Sequence, residues 1–468
     1  MGEEQVKAAP VEKKDEEDVG RAFKWFHATS VNGTAMTISA VIASYFSAYM
    51  TDTLGIAAGA ASGIMFVSTL WDAINDPLMG VVSDRTHTKF GKYRPYFLIA
   101  PILLTVFATL LWTRWEFNST AGQIAYILLI YIGYGMTVTL YTMPQMAILP
   151  AAVKDDKKRN TIITMGAGCC SIAFLIGNTF TTNITGFFEN HGFSNGYIPF
   201  MLICGAGAAV SFWGLFATSK GKEKYIQKTE KQDKVWKQLV IVLRHKEVYP
   251  YLVAWVMAAL GYGLMFSSSV YYMTYYYERP DLISAYMMVI SIGASVSMIV
   301  LMPIFLKIFK TGGRAIIASQ AMSIVCYIFL FFFGKTSFVF LCILTFISAC
   351  TSAMQNALVN VLVNDTIDFI QLKEGKSANG VVSSIKGFAQ KCGNTLNSSG
   401  LLAVLAISGY VAGEIGNQPA SAMFALNFMK FGAPCITGIV LILCVALNPI
   451  RKYRDQIAEM KAGMKAAE

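Results

Sequence analysis

Twelve stretches of the chain stay apolar for about 20 residues or more, the length a helix needs to cross ~30 Å of hydrocarbon. They cover roughly 25–50, 57–82, 95–115, 121–149, 161–187, 197–217, 249–277, 283–306, 315–334, 336–363, 378–411 and 421–448. The runs are continuous and do not alternate, so they predict helices and exclude an outer-membrane β-barrel. A charged segment, 218–248, separates the sixth run from the seventh, and its stretch Val235 to Leu243 is amphipathic enough to lie on a membrane surface. The expected fold is therefore all-α and integral to the membrane, with twelve transmembrane helices. It comprises a tail (1–24), a six-helix half (25–217), the central loop, a second six-helix half (249–448) and a tail (449–468).

Composition agrees with this pattern. With 55% hydrophobic and 14% charged residues, 468 residues lack the polar side chains to coat a soluble globule, which typically carries about 25% charge. The net charge of +10 is unevenly placed: 32 of the 38 Lys and Arg fall in the tails and in loops on one side. The opposite loops hold only Arg114, Arg279 and Lys335. The positive-inside rule then predicts a multi-pass protein of the cell membrane with both termini cytoplasmic. A nucleic-acid role would need a basic folded surface, and the charge here is a topology signal instead. The hydrophilic first 24 residues do not resemble a signal peptide. All nine cysteines sit inside apolar runs without metal-ligand spacing, and the four His do not cluster. No GxxxxGK[ST] phosphate loop is present. The reading is not an enzyme, with no cofactor, and no metal site beyond a coupling cation.

Of the 28 acids, only Asp72 and Asp76 stand well inside a predicted span. Each costs ~2.5–3.5 kcal/mol there on insertion scales. Four residues apart, they share a helix face, where their repulsion is relieved by a proton or a cation. Asn75 adds a neutral oxygen, and Pro77 can free a backbone carbonyl. Such hard oxygen ligands suit Na⁺, Li⁺ or H⁺. A lasting ion pair with a buried lysine is the alternative, and Lys391 in the eleventh run could supply it. At the end of the same helix Gly80 permits close helix approach. Beyond it Asp84, Arg85, Lys92 and Arg94 can latch helix ends on the cytoplasmic face.

Two six-helix halves joined by a basic loop match the architecture of a major facilitator transporter. The segment WDAINDPLMGVVSDRTHTKFGKYRPYFL, residues 71–98, resembles the signature of the glycoside–pentoside–hexuronide:cation symporters, the family of the melibiose carrier. The resemblance recurs at Asn364-Asp365-Thr366-Ile367-Asp368-Phe369 and at Lys391. It implies that Asp72 and Asp76 bind the coupling cation, with Thr139 contributing. It further implies that Lys391 lies near the sugar and cation sites and that Asp365 and Asp368 are gate elements. Departures are equally informative. The first run has no acid at Ser30 to Met36 where the melibiose carrier grips sugar hydroxyls. The helix-four acid is Thr142, the helix-five arginine falls near Gly166, and two aromatic contacts read Met146 and Asn356. The cation machinery is retained while the galactoside grip is altered.

Polar residues inside the spans nominate a substrate lining: Asn32, Tyr141, Thr142, Gln145, Asn356 and Lys391. Interhelical hydrogen bonding is the competing account of any such list. Tyr271, Tyr272, Tyr275, Tyr276 and Tyr277 read as an interfacial aromatic belt, with an outer gate as the alternative. The function expected is Na⁺- or H⁺-coupled symport of a sugar or glycoside by a monomer in the lipid bilayer. A carrier of a lipid- or steroid-like amphiphile is one alternative, and a non-transporting membrane sensor of the same fold is another.

Overall fold

The computed structural model describes residues 19–115, 117, 119–223, 240–375, 379–457 and 459–460. The predicted surface helix lies outside them up to residue 239, as do the side chains of Asp84 and Asn356. Among the described residues all regular structure is helical, with a single isolated bridge between Thr88 and Gly91. The first half comprises α1 (Arg21–Asn32), α2 (Thr34–Ala48), α3 (Ala58–Arg85), α4 (Arg94–Leu111), α5 (Thr120–Ala152), α6 (Asp156–Thr179), α7 (Thr181–Asn190) and α8 (Tyr197–Thr218). The second comprises α9 (Tyr249–Tyr271), α10 (Ile283–Val296), α11 (Met302–Phe309), α12 (Gly312–Phe333), α13 (Phe338–Glu374), α14 (Asn379–Ile407), α15 (Ala420–Asn427) and α16 (Ala433–Ala446).

Local chemistry sets several helix starts. The Ser119 hydroxyl accepts from the Gly122 amide at 3.2 Å to open α5. Asp155 accepts from the Lys157 amide at 2.7 Å to open α6. Some predicted single spans are interrupted. Gly33 breaks the first into α1 and α2, since a Cβ there would strike the Thr29 carbonyl. Five-residue π-helical turns follow α2 (Tyr49–Thr53) and α9 (Tyr272–Tyr276), and others join α10 to α11 and α15 to α16. Hydropathy does not register such breaks, because they change the hydrogen-bond ladder and not the apolar content.

Nine of the described segments are long and apolar enough to cross a membrane by length and composition. Neither α3 nor α14 is among them, and these are the helices that carry Asp72, Asp76, Lys386 and Lys391. Large apolar side chains such as Ile99, Ile102, Phe332 and Phe333 are exposed on the outside of the bundle, as lipid-facing positions require.

One packing scheme recurs in both halves. The first helix lies against the fifth and sixth (α1–α2 on α6 and α8; α9 on α14 and α16), and the second against the fourth (α3 on α5; α10 on α13). Between the halves α3 packs on α14, α6 on α10 and α2 on α9. At the face opposite the basic loops a single hydrophobic core runs through both halves, from Tyr45 and Tyr49 to Tyr271, Tyr275 and Leu401. Toward the basic loops the second half has a separate core around Trp255, Leu358 and Phe369. The halves are therefore merged at the end away from the basic loops.

Polar contacts reinforce that merger. Asp52 accepts from the Tyr410 hydroxyl at 2.6 Å, and Thr51 and Tyr271 share a hydrogen bond at 3.0 Å. The Ser62 hydroxyl donates to the Ser399 carbonyl at 2.8 Å, and Thr182 bonds Ser284.

At the basic face the turn into α4 is organised by Glu223. Its carboxylate accepts from the amides of Lys92 (2.7 Å), Tyr93 (2.9 Å) and Arg94 (3.2 Å). Gly91 makes this possible: its φ is +108°, and a Cβ would lie 2.5 Å from the Glu223 carboxylate. A negative group on a helix N-terminus stabilises it, and losing a cap costs about 1–2 kcal/mol. Glu223→Ala is accordingly expected to lower the unfolding temperature in detergent by about 1–2 °C. An unchanged midpoint would show that the turn is held by other contacts.

Candidate functional site

The long helices α3 and α14 run side by side across the seam, which brings Lys391 to the two acids. Its ammonium pairs with Asp76 Oδ2 and donates to the Asp72 carbonyl oxygen at 3.2 Å. From α5, the Thr139 hydroxyl donates to Asp76 Oδ1 at 3.0 Å. All four residues line one cavity of about 380 Å³ together with Ser39, Tyr131, Tyr134 and Thr142. Lys391 and Asp76 keep 32% and 23% of their side-chain surface exposed. The pair thus faces the cavity and is not sealed in packing.

Asp72 differs from Asp76. Its Oδ1 is buried with no hydrogen-bond partner, and it lies so close to Gly135 of α5 that a Cβ there would collide with it. The site therefore holds two carboxylates one helical turn apart but one ammonium. A carboxylate oxygen in this position can take a proton or a small cation. Any added cation also competes with Lys391, whose ammonium already occupies Asp76.

Gly135→Ala tests this close approach. Overpacking costs about 1–3 kcal/mol, so if Asp72 holds a cation its affinity should weaken by about tenfold or more. Gly168→Ala, in open space on α6, is the matched control. Wild-type cation dependence of substrate binding in Gly135→Ala would show that Asp72 needs no such approach.

The other nominated residues separate into groups. Asn75 is 3% exposed and lines none of this cavity, and its Nδ2 has no hydrogen-bond partner. Thr142 lines the cavity but donates to the Val138 carbonyl at 2.7 Å. Tyr141 is buried with its ring on Phe212, 5.1 Å between centroids. Gln145 is tied to α1, where its amide donates to the His27 carbonyl at 3.1 Å and its own carbonyl meets His27 Nε2 at 3.1 Å. Tyr141 and Gln145 thus serve interhelical packing. Asn32 lies against Gly166, where a Cβ would approach its amide to 2.7 Å, so the two positions fit as a pair.

Among the nominated gate residues, the Arg94 guanidinium bonds the Phe216 and Phe90 carbonyls inside its own half. Arg85 is exposed at the end of α3, and Asp365 and Asp368 sit on the last turns of α13. The aromatic-belt reading is corrected. Tyr271, Tyr272 and Tyr275 are buried, packed against Tyr410, Tyr286 and Phe431, and cannot face lipid headgroups.

Sequence reasoning passed over Tyr131, Gly135, Glu223 and Lys430. Lys430 is buried on the last π-helical turn, where it donates to the Met265 carbonyl at 2.8 Å and to Ser269. Each owes its place to a partner distant in the chain, and only Lys430, a charge inside an apolar run, left a signal.

Comparison with known proteins places this arrangement. The chain is 28% identical over 419 residues to the uncharacterized symporter YjmB of Bacillus subtilis (strain 168), with 88% of each chain covered. It is 24% identical over 395 residues to the isoprimeverose transporter of Lactiplantibacillus pentosus, covering 83% of this chain and 81% of that one. Among solved structures, a bacterial homologue of the human drug peptide transporters PepT1 and PepT2 shares the fold, with a TM-score of 0.64 at 12% identity. That alignment covers 94% of this chain and 99% of the other. The family described as MFS/sugar transport protein matches residues 30–452, and the chain belongs to it.

Proposed function

We propose that this protein is a cation-coupled symporter of a sugar or glycoside, working by alternating access in the cell membrane with both termini cytoplasmic. The observation that carries the proposal is the meeting of Asp72, Asp76, Thr139 and Lys391 in one cavity at the seam. The family and the printed names of its relatives supply the substrate class. In this reading the cation, Na⁺ or H⁺, binds between Asp72 and Asp76 and displaces Lys391. The substrate then occupies the cavity, and the halves 25–217 and 249–448 rock to change its exposure. Uptake of labelled sugars into proteoliposomes, driven in turn by Na⁺, Li⁺ and proton gradients, tests it. Gradient-driven accumulation of at least one sugar is expected, and no accumulation under any gradient overturns the coupling.

The same reading makes Asp365 and Asp368 part of a latch that closes the basic face against Arg85 in the outward-open state. Near-surface pairs contribute about 1 kcal/mol or less each, and together about 1.4 kcal/mol, a tenfold population shift. Asp365→Asn with Asp368→Asn should raise thiol labelling from the cytoplasmic side by about that factor on a cysteine-substituted background. Unchanged accessibility removes the latch.

A further inference from the structure

A second cavity lies at the seam, and it shares no lining residue with the first. It measures about 240 Å³ and is bounded by Met36 of α2, Cys170 and Phe174 of α6, Tyr262 and Phe266 of α9, and Ser291 of α10. Its walls belong to both halves. Phe174 meets Phe266 edge to face across the seam, 5.6 Å between centroids, and Tyr262 meets Phe266 at 5.5 Å. Ser171 and Ser295 also line it, but their hydroxyls donate to their own helices at 3.1 and 2.9 Å. The Ser291 hydroxyl has no partner, although that residue is 4% exposed. The two cavities are neighbours along α2, since Met36 lines this one and Ser39, three residues on and near the same helix face, lines the other.

We propose that this cavity is an aglycone subsite, taking the aryl group of a glycoside whose sugar occupies the cavity at Asp72 and Asp76. The proposal rests on the sugar-carrier reading above. The lining selects the chemistry. A second sugar would bring several hydroxyls to a wall made largely of Met36, Phe174, Leu175, Phe266 and Met298, and each left unpaired costs about 1–3 kcal/mol. An aromatic ring needs no such partners and gains edge-to-face contacts with Phe174, Tyr262 and Phe266. The size agrees: an apolar cavity of roughly 150 Å³ accepts benzene, so this one holds a substituted ring with a single polar group directed at Ser291.

Proteoliposomes carrying a variant with Cys170 as its only cysteine provide the test. Maleimide alkylation of Cys170 is followed with methyl glycosides, with p-nitrophenyl glycosides of glucose, galactose and xylose, and with p-nitrophenol. In parallel, inhibition of labelled-sugar uptake by each compound is measured in the natural sequence. At least one p-nitrophenyl glycoside should inhibit about tenfold more strongly than its methyl counterpart and slow the alkylation of Cys170. Phe266→Ala should bring the aryl-to-methyl ratio toward one, and Phe174→Leu serves where Phe266→Ala does not fold. Equal inhibition by aryl and methyl compounds, as when a lipid chain fills the cavity, overturns the subsite whatever becomes of the sugar reading. If no labelled sugar is accumulated while p-nitrophenol still protects Cys170, the sugar reading falls and the aromatic subsite stands.

Discussion

Asp76→Asn is expected to reduce accumulation of the transported sugar to simple equilibration. One charge moving through 100 mV supplies ~2.3 kcal/mol, a ceiling near fiftyfold, so the inside-to-outside ratio should fall from that order to about one. The physical reason is the competition at the site. Asparagine keeps the volume and still accepts from Thr139, but it offers Lys391 no negative charge. Lys391 already reaches the Asp72 backbone at 3.2 Å, so its ammonium should turn to the remaining carboxylate and leave none for a cation. Exchange of labelled for unlabelled sugar needs no net cation movement and should survive. Gradient-driven accumulation and counterflow, measured on the same proteoliposomes, separate the two. Wild-type accumulation in this variant would refute the assignment of the cation site.

Lys391→Ala should have the opposite effect on affinity. Without the tethered ammonium, Asp72 and Asp76 repel each other directly, and a small cation becomes the main relief. Apparent cation affinity should tighten by about tenfold, while net transport slows because the empty carrier must return with uncompensated carboxylates. Stability should suffer less than for a sealed pair. Breaking a fully buried pair costs about 3–5 kcal/mol and an exposed one about 1 kcal/mol or less, and this pair is roughly a quarter to a third exposed. Calorimetric titration with Na⁺ and Li⁺ alongside uptake checks the prediction. Unchanged affinity together with unchanged uptake would show that Lys391 does not share the carboxylates.

The acids of the site were legible in the sequence because charge inside an apolar run is costly and rare. Lys391 was legible for the same reason, although its meeting with Asp76 is a fact of how α3 and α14 cross, which no periodicity encodes. The polar lining was only half legible. A hydroxyl or amide in a span announces that it needs a partner without saying whether the partner is substrate or neighbour, and for Gln145 it is the neighbour. Tyr271, Tyr272 and Tyr275 were misread because a linear pattern does not distinguish a lipid boundary from a packed interior. Gly135 left no signal at all, since its role is the absence of a side chain beside Asp72.

The two π-helical turns that end the first helix of each half carry the same three residues, Tyr49-Met50-Thr51 and Tyr272-Met273-Thr274. A π turn holds one residue more than an α turn, and one extra residue advances everything beyond it by about 100° around the helix axis. In the first half that added rotation aims Asp52 at Tyr410, and in the second it aims Tyr275 at Tyr410 and at the Gly413 amide. The closure at the end away from the basic loops is thus a matter of helical phase. Two π turns, one after the first helix of each half, turn both ends toward one another, and excising one residue from either turn would rotate its side chains away without altering a single residue that makes the contact.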